Sequence, residues 1–277
     1  MKAVSVIIPM YNAEKWIFTG VLQDVYKQTY QDIELIIIND GSKDNTKKYL
    51  EQEIEQKKKL HTKIKHVVVH KENSGIANTR NFGIELATGK YLLFLDQDDR
   101  IKQDYIEKYL SEINGKNIDI LIGGYQTISE KGKILKQFIF EKDNEWAKYQ
   151  FTAPWGKIYR TEFIKNNHIT FLNHSIGEDT YFNCLAYSKT QNIEIFEYIG
   201  YSWVQNLKSF SHTKQKEIKN ADKRPVFDAI LKDTNITISE PYYRYYFIRE
   251  ITHGILSTLR KQNYNEALKN WGGIASG

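Results

Sequence analysis

Between residues 4 and 122 the chain alternates short apolar runs with longer stretches of helical periodicity, and this alternation limits its folds more than any other feature. The runs are Val4–Ile8, Glu34–Ile38, Lys65–Val69, Tyr91–Leu95 and Ile118–Ile122. They are continuous rather than alternating, the pattern of strands covered on both faces. Ala13–Gln28, Asn45–Lys58, Gly75–Ala87 and Gln103–Asn114 lie between them as predicted helices. In the first of these, Trp16, Ile17, Val21, Val25 and Tyr26 recur at helical spacing. Such alternation requires βαβ crossovers and a mostly parallel sheet. Further on, Tyr125–Ile128 and Lys133–Phe140 flank a turn-like break and read as an antiparallel pair. A helix over Glu178–Tyr187 and a strand over Ile193–Tyr198 follow. From about Lys214 to Arg260 the pattern is helical, with Pro241 at the first turn of Tyr242–Arg260.

Composition removes several classes. Hydrophobic residues at 41% exclude disorder, and 16 Gly with 4 Pro exclude a collagen-like chain. A single cysteine, Cys184, cannot form an internal disulfide and points to a reducing compartment. No apolar run reaches the roughly 18–20 residues that span a bilayer. The apolar stretch before Pro9 is short for a signal peptide, so the expected location is cytoplasmic. A net charge of +5 suits an anionic small molecule or a membrane surface and is too mild to indicate nucleic acid.

In parallel α/β sheets ligands bind beyond the carboxyl ends of the strands. Here those ends run into Pro9-Met10-Tyr11-Asn12-Ala13-Glu14, Asn39-Asp40-Gly41-Ser42, Asn73-Ser74-Gly75 and Asp96-Gln97-Asp98-Asp99. Three carboxylates in the last cluster repel one another, and a hard cation such as Mg²⁺ or Mn²⁺ is their natural neutraliser. The competing explanation is a solvated loop in which Asp98 or Asp99 caps the next helix. Asp40-Gly41-Ser42 reads either as a helix-starting turn or as a carboxylate at a ligand crevice. Arg80 reads as a brace for the acidic loop or as a phosphate ligand.

In combination, Pro-x-Tyr-Asn, Asn-Asp-Gly-Ser, Asn-Ser-Gly-x-x-x-x-Arg-Asn-x-Gly and Phe-Leu-Asp-x-Asp-Asp resemble the family 2 glycosyltransferases, inverting enzymes of the GT-A type that use nucleotide sugars. The resemblance covers roughly residues 3–205. It extends to Trp155-Gly156-Lys157 and Gly177-Glu178-Asp179, which look like acceptor-side motifs. It implies an α/β fold with a mixed, mostly parallel sheet flanked by helices. The transferase core would span residues 1–210, divided into a nucleotide-binding half (1–123) and an acceptor-side half (124–210). A helical accessory region would occupy 211–277.

The resemblance also implies roles. Pro9, Tyr11, Asn12 and Glu14 would line the base and ribose pocket, with Asp40 on the uracil ring. Ser74, Gly75 and Arg80 would border the nucleotide, and Asp96 and Gln97 would belong to the same site. Asp96 and Asp98 would bind the metal, Mn²⁺ or Mg²⁺, with His212 as a further ligand. Asp179 would be the general base. Trp155 would stack on a sugar face, Lys157 would face the diphosphate or the acceptor, and Glu178 would lie beside the sugar. The implied reaction moves a hexose (galactose, glucose or an N-acetylhexosamine) from a UDP-sugar to a hydroxyl of a growing glycan on a protein or lipid carrier. A peripheral membrane contact is a further implied interaction. The alternatives are a non-catalytic nucleotide-sugar-binding module of the same fold and a nucleotidyltransferase. The latter lacks support, because no basic Gly-rich loop follows the first strand.

Overall fold

The computed structural model describes residues 2–142, 144, 146, 150–174, 176–205 and 224–234, with isolated positions 248 and 252. Strands β1 (Val4–Met10), β2 (Ile33–Asp40), β3 (Lys65–Lys71) and β4 (Tyr91–Phe94) pair in parallel in the order β3-β2-β1-β4. Helices α1 (Val21–Tyr26), α2 (Thr46–Leu60) and α3 (Ile76–Leu86) connect them. β1 and β2 are buried along their full length, as continuous apolar runs require. The register sets Met10 beside Asn39 and Asn39 beside His70, so the strand ends converge on one edge.

Beyond β4 the same sheet becomes mixed. β5 (Arg100–Ile101), α4 (Tyr105–Ile113), β6 (Ile120–Ser129) and β7 (Ile134–Phe138) are followed by β8 (Lys157–Arg160), α5 (Thr161–Asn166), α6 (Glu178–Ser188) and β9 (Ile193–Gln205). β8 runs antiparallel to β4 and β6, whereas β9 is parallel to β6. β6 and β7 form the expected antiparallel pair, joined by a turn containing Gly132 at φ +78. Within the region expected to be a helical appendage, α7 (Arg224–Thr234) packs on α6. It buries Val226, Phe227 and Ile230 in the common core, and the Tyr181 hydroxyl donates to Asp233 at 2.7 Å. The helix expected over Tyr242–Arg260 lies outside the described residues.

One predicted helix is shorter than its periodicity suggests. Of Ala13–Gln28 only Val21–Tyr26 is regular, and turns occupy residues 14–19. The break falls at Gly20, where a Cβ would lie 2.1 Å from the Gln97 carbonyl oxygen. The acidic loop presses so closely on the chain there that only glycine fits.

Candidate active site

The acidic loop is pinned residue by residue to different parts of the sheet edge. Asp96 accepts from Arg80 of α3 at 2.8 Å. Gln97 clasps the backbone of Tyr11 beyond β1, its Oε1 accepting from Tyr11 N at 2.9 Å and its Nε2 donating to Tyr11 O at 3.1 Å. Asp99 is 1% exposed and turned toward β9, where Tyr201 Oη and Val204 N donate to it at 2.5 and 2.9 Å. The third carboxylate therefore anchors the loop to the sheet rather than joining the pair expected to bind metal. Asp98 has no salt bridge among the described residues. Burial and the neighbouring Asp96 carboxylate push its pKa up to about 6. A carboxylate whose charge is unwelcome without a counter-ion suits a divalent cation, and Asp96 supplies a second hard oxygen donor. The capping explanation for this loop fails, since the residue before α4 is Asp104.

Arg80 is the hub of the site. Its side chain is 4% exposed, and Nη1 donates to Asp179 at 2.6 Å while Nη2 donates to Asp96. Glu178 lies 3.8 Å from Nη1, and the guanidinium sits 5.3 Å from the centre of the Phe171 ring. Phe171 stacks on Phe182 of α6 at 4.1 Å, which gives the guanidinium a rigid aromatic floor. The fork thus joins the acidic loop to the start of α6, and of the two roles open to Arg80 in the sequence the structure shows the brace.

Asp179 is the second residue of α6. The helix is capped by Gly177 without a side-chain cap, so Asp179 is not an N-cap. Asn183 holds its backbone carbonyl at 2.9 Å and is itself held by the Tyr159 hydroxyl at 2.9 Å. Burial raises the Asp179 pKa, Arg80 counteracts that rise, and Asp96 adds to it. Burial and then Asp179 push Glu178 up to about 8.

The loops after β1 and β2 are stitched together. Asn12, at φ 48, donates from its backbone to Ser42 Oγ at 2.9 Å, and its Oδ1 accepts from Lys43 N at 2.9 Å. Glu14 Oε2 accepts from Asn45 N and Nδ2, both at 3.1 Å. Pro9 is buried within β1, while Tyr11 is 43% exposed at the edge. The Asp40 carboxylate accepts from Ser74 N at 2.9 Å, from Gly75 N at 3.0 Å and from Lys71 Nζ. Its first task is therefore to fold the Ser74–Gly75 turn against β2. Gly41, at φ +67, would place a Cβ 2.6 Å from Asn73 N, so the close approach that it permits is to the protein's own backbone.

Two expected ligand contacts are corrected by burial. The Lys157 ammonium is spent on backbone carbonyls, although its charge still reaches Asp179. The residue is 0% exposed, and its ammonium donates to Phe151 O at 2.9 Å and to Ala153 O. Burial drives its pKa well down. Trp155 is 7% exposed and stacks on Tyr201 at 4.5 Å and 6°. That ring face is occupied by the protein. Trp203, whose ring lies 6.1 Å from that of Trp155, is 38% exposed. His212 lies outside the described residues. Among the described residues, no group of three or more His, Cys, Asp and Glu is arranged to hold a metal, and no helix is long and apolar enough to cross a membrane.

The model of the family described as glycosyl transferase family 2 matches residues 5–180. Glycosyltransferase GlyA of Streptococcus pneumoniae is 28% identical over 208 residues, covering 69% of this chain and 29% of GlyA. The chain spans 29% to 64% of the lengths of the first four curated relatives that it matches. The structure of S. aureus TarS 1-349 in complex with UDP superposes with a TM-score of 0.69 at 23% identity, covering 90% of this chain and 72% of that one. The mannosyltransferase PcManGT from Pyrobaculum calidifontis, in complex with GDP-Man and Mn²⁺, superposes at 0.65 with 13% identity, covering 99% and 75%. These likenesses establish the GT-A fold. With the family match covering residues 5–180, they complete the assignment: this chain belongs to glycosyl transferase family 2.

Proposed function

We propose that the chain is an inverting glycosyltransferase that moves a hexose from a UDP-sugar to a hydroxyl of a growing surface glycan. The observation that carries this reading is the Arg80 fork, which brings Asp179 and the acidic loop to the same edge of the sheet. The UDP complex of TarS and the Mn²⁺ complex of PcManGT support the choice of carrier and ion. The base and ribose would lie against Tyr11, Asn12 and the Ser74–Gly75 turn, with Asp40 behind that turn. Asp96 and Asp98 would hold Mn²⁺ or Mg²⁺, which would offset charge on the diphosphate oxygens.

Asp179 would act as the base. Arg80 engages its Oδ1, so Oδ2 would take the proton of the acceptor hydroxyl. As the acceptor oxygen bonds to the anomeric carbon, the bond from that carbon to the diphosphate oxygen breaks and its electron pair leaves with UDP. A single displacement inverts the configuration. The raised pKa of Asp179 improves it as a proton acceptor, provided that Arg80 keeps it ionised at working pH.

The test is incubation with UDP-sugars and glycan acceptors, with UDP release and product mass as readouts. Asp179→Asn is expected to lower turnover by about 10²–10⁴-fold, the usual contribution of a general base. Near wild-type transfer by this variant would remove Asp179 from the role. Dialysis against chelator followed by Mn²⁺ titration should restore transfer. Full activity in chelator would remove the metal from Asp96 and Asp98. Pyrophosphate formed from UTP and a sugar phosphate would instead identify a nucleotidyltransferase.

A further inference from the structure

The hydrogen bonds around Asn39 determine the protonation state of a histidine on the edge strand. Ser42 N lies 3.2 Å from Asn39 Oδ1, and Ser42 Oγ is 2.5 Å from the same oxygen. A backbone N–H only donates, so the Asn39 atom facing it must be the carbonyl oxygen. The amide NH₂ then points the other way, 3.1 Å from Nδ1 of His70 on β3. Nδ1 must accept, which places the ring proton on Nε2, 3.5 Å from Glu51 Oε1 of α2. A protonated imidazole carries hydrogen on both nitrogens and would set an N–H against the Asn39 NH₂. Asn39 is 3% exposed and cannot turn to water, and rotating its amide would set the NH₂ against Ser42 N–H instead.

The same turn reaches the nucleotide edge. Ser42 Oγ donates to Asn39 and accepts from Asn12 N, and Asn12 Oδ1 accepts from Lys43 N. A continuous chain of hydrogen bonds therefore links His70 on the outer strand to the loops after β1 and β2. We propose that His70 is a positioning residue of the nucleotide pocket. As a neutral Nε2–H imidazole it fixes the Asn39 amide and the Ser42–Asn12 turn, and its protonation loosens the loops that grip the nucleotide. This inference rests on the reading of those loops as the UDP site.

The charges around the ring are those of α2 on one side, since β2 presents the neutral Asn39. Glu51 favours the cation, Lys47 opposes it, and Glu55 and Lys58 line the same hollow. Burial outweighs these and lowers the His70 pKa from its ordinary value. The neutral form is therefore the state at pH 7.

Two measurements on the full chain test the proposal. Long-range ¹H–¹⁵N NMR of the imidazoles reports the His70 tautomer and its titration midpoint without any ligand. Calorimetric titration with UDP across pH, for wild type and His70→Asn, reports the coupling. Asparagine, whose Oδ1 takes the place of Nδ1, keeps an acceptor for Asn39 and does not titrate. The site carboxylates titrate in both proteins, so the ratio of the two affinities isolates His70. The expected result is an Nε2–H tautomer, with equal affinities at pH 7.5. One pH unit below the midpoint, UDP should bind wild type about tenfold more weakly than the variant, because only about a tenth of wild type then remains in the binding form. An Nδ1–H tautomer, or pH profiles that run in parallel, would overturn the proposal. If UDP binds neither protein at any pH, the nucleotide site is wrongly placed and His70 loses its role in the pocket. The tautomer measurement then still separates that failure from a wrong assignment of the Asn39–His70 bond.

Discussion

Replacing Arg80 by Gln tests the central claim about the site, that one buried cation organises both the acidic loop and the proposed base, Asp179. The guanidinium is 4% exposed and makes charge-assisted bonds of 2.6 Å to Asp179 and 2.8 Å to Asp96, with Glu178 at 3.8 Å. Removing one partner of a buried ion pair costs about 3–5 kcal/mol, because the remaining charges lose their compensation. Here the cost is tempered. Glu178, whose pKa burial and then Asp179 push up to about 8, adds little charge at pH 7, and without Arg80 the carboxyls can shed charge by taking up protons. A loss of about 3 kcal/mol is therefore expected, which corresponds to a fall in Tm of about 6–12 °C for a chain of this size.

The effect on activity has a definite sign. Arg80 opposes the upward shift of the Asp179 pKa, so without it Asp179 stays protonated to higher pH. The acid limb of the kcat/KM profile should move upward, and alkaline buffer should recover part of the lost activity. Arg80→Lys restores the charge but not the fork, since an ammonium lacks the two parallel donors, and it should fall between wild type and Arg80→Gln. Thermal melts give the stability term and pH–rate profiles give the limb. An Arg80→Gln enzyme with the wild-type acid limb would refute the reasoning, whatever its Tm, because Arg80 would then not control the ionisation of the proposed base.

Two further outcomes follow from buried charges. Lys157→Met should lower stability by about 1–3 kcal/mol, the cost of leaving the Phe151 and Ala153 carbonyls without their donor, while the KM for the nucleotide sugar stays unchanged. A large rise in KM with an unchanged melt would return Lys157 to the diphosphate. Glu34, 0% exposed on β2, accepts from Ser5, Lys65 and Thr88; burial alone would raise its pKa, but these donors hold it down at about 2. Its contribution of about 3 kcal/mol is present above the unfolded-state value near 4.5 and is lost as pH falls toward 2. Urea melts of wild type and Glu34→Gln should therefore differ at pH 7 and converge in acid. A gap independent of pH would show that Glu34 acts through packing alone.

The sequence by itself determined the order and parallel pairing of the first four strands and the four polar clusters at their ends, because hydrophobic period and turn chemistry are local properties of the chain; the two-residue β5 (Arg100–Ile101) and the antiparallel pairing of β6 with β8 were not legible in it. It also placed Asp96, Asp98 and Asp179 as the residues to watch. Only the tertiary structure decided which charges meet. Arg80 and Asp179 are 99 residues apart, Asp99 and Tyr201 are 102 apart, and Tyr11 and Gln97 are 86 apart. No local pattern records such partners. For the same reason the sequence could not show that Asp99 and Lys157 are internal braces, that Trp155 already stacks on Tyr201, or that Gln97 cuts the first helix short at Gly20. Those outcomes depend on which groups are desolvated when distant segments pack, and burial of that kind turns a polar motif residue into either a ligand or a strut.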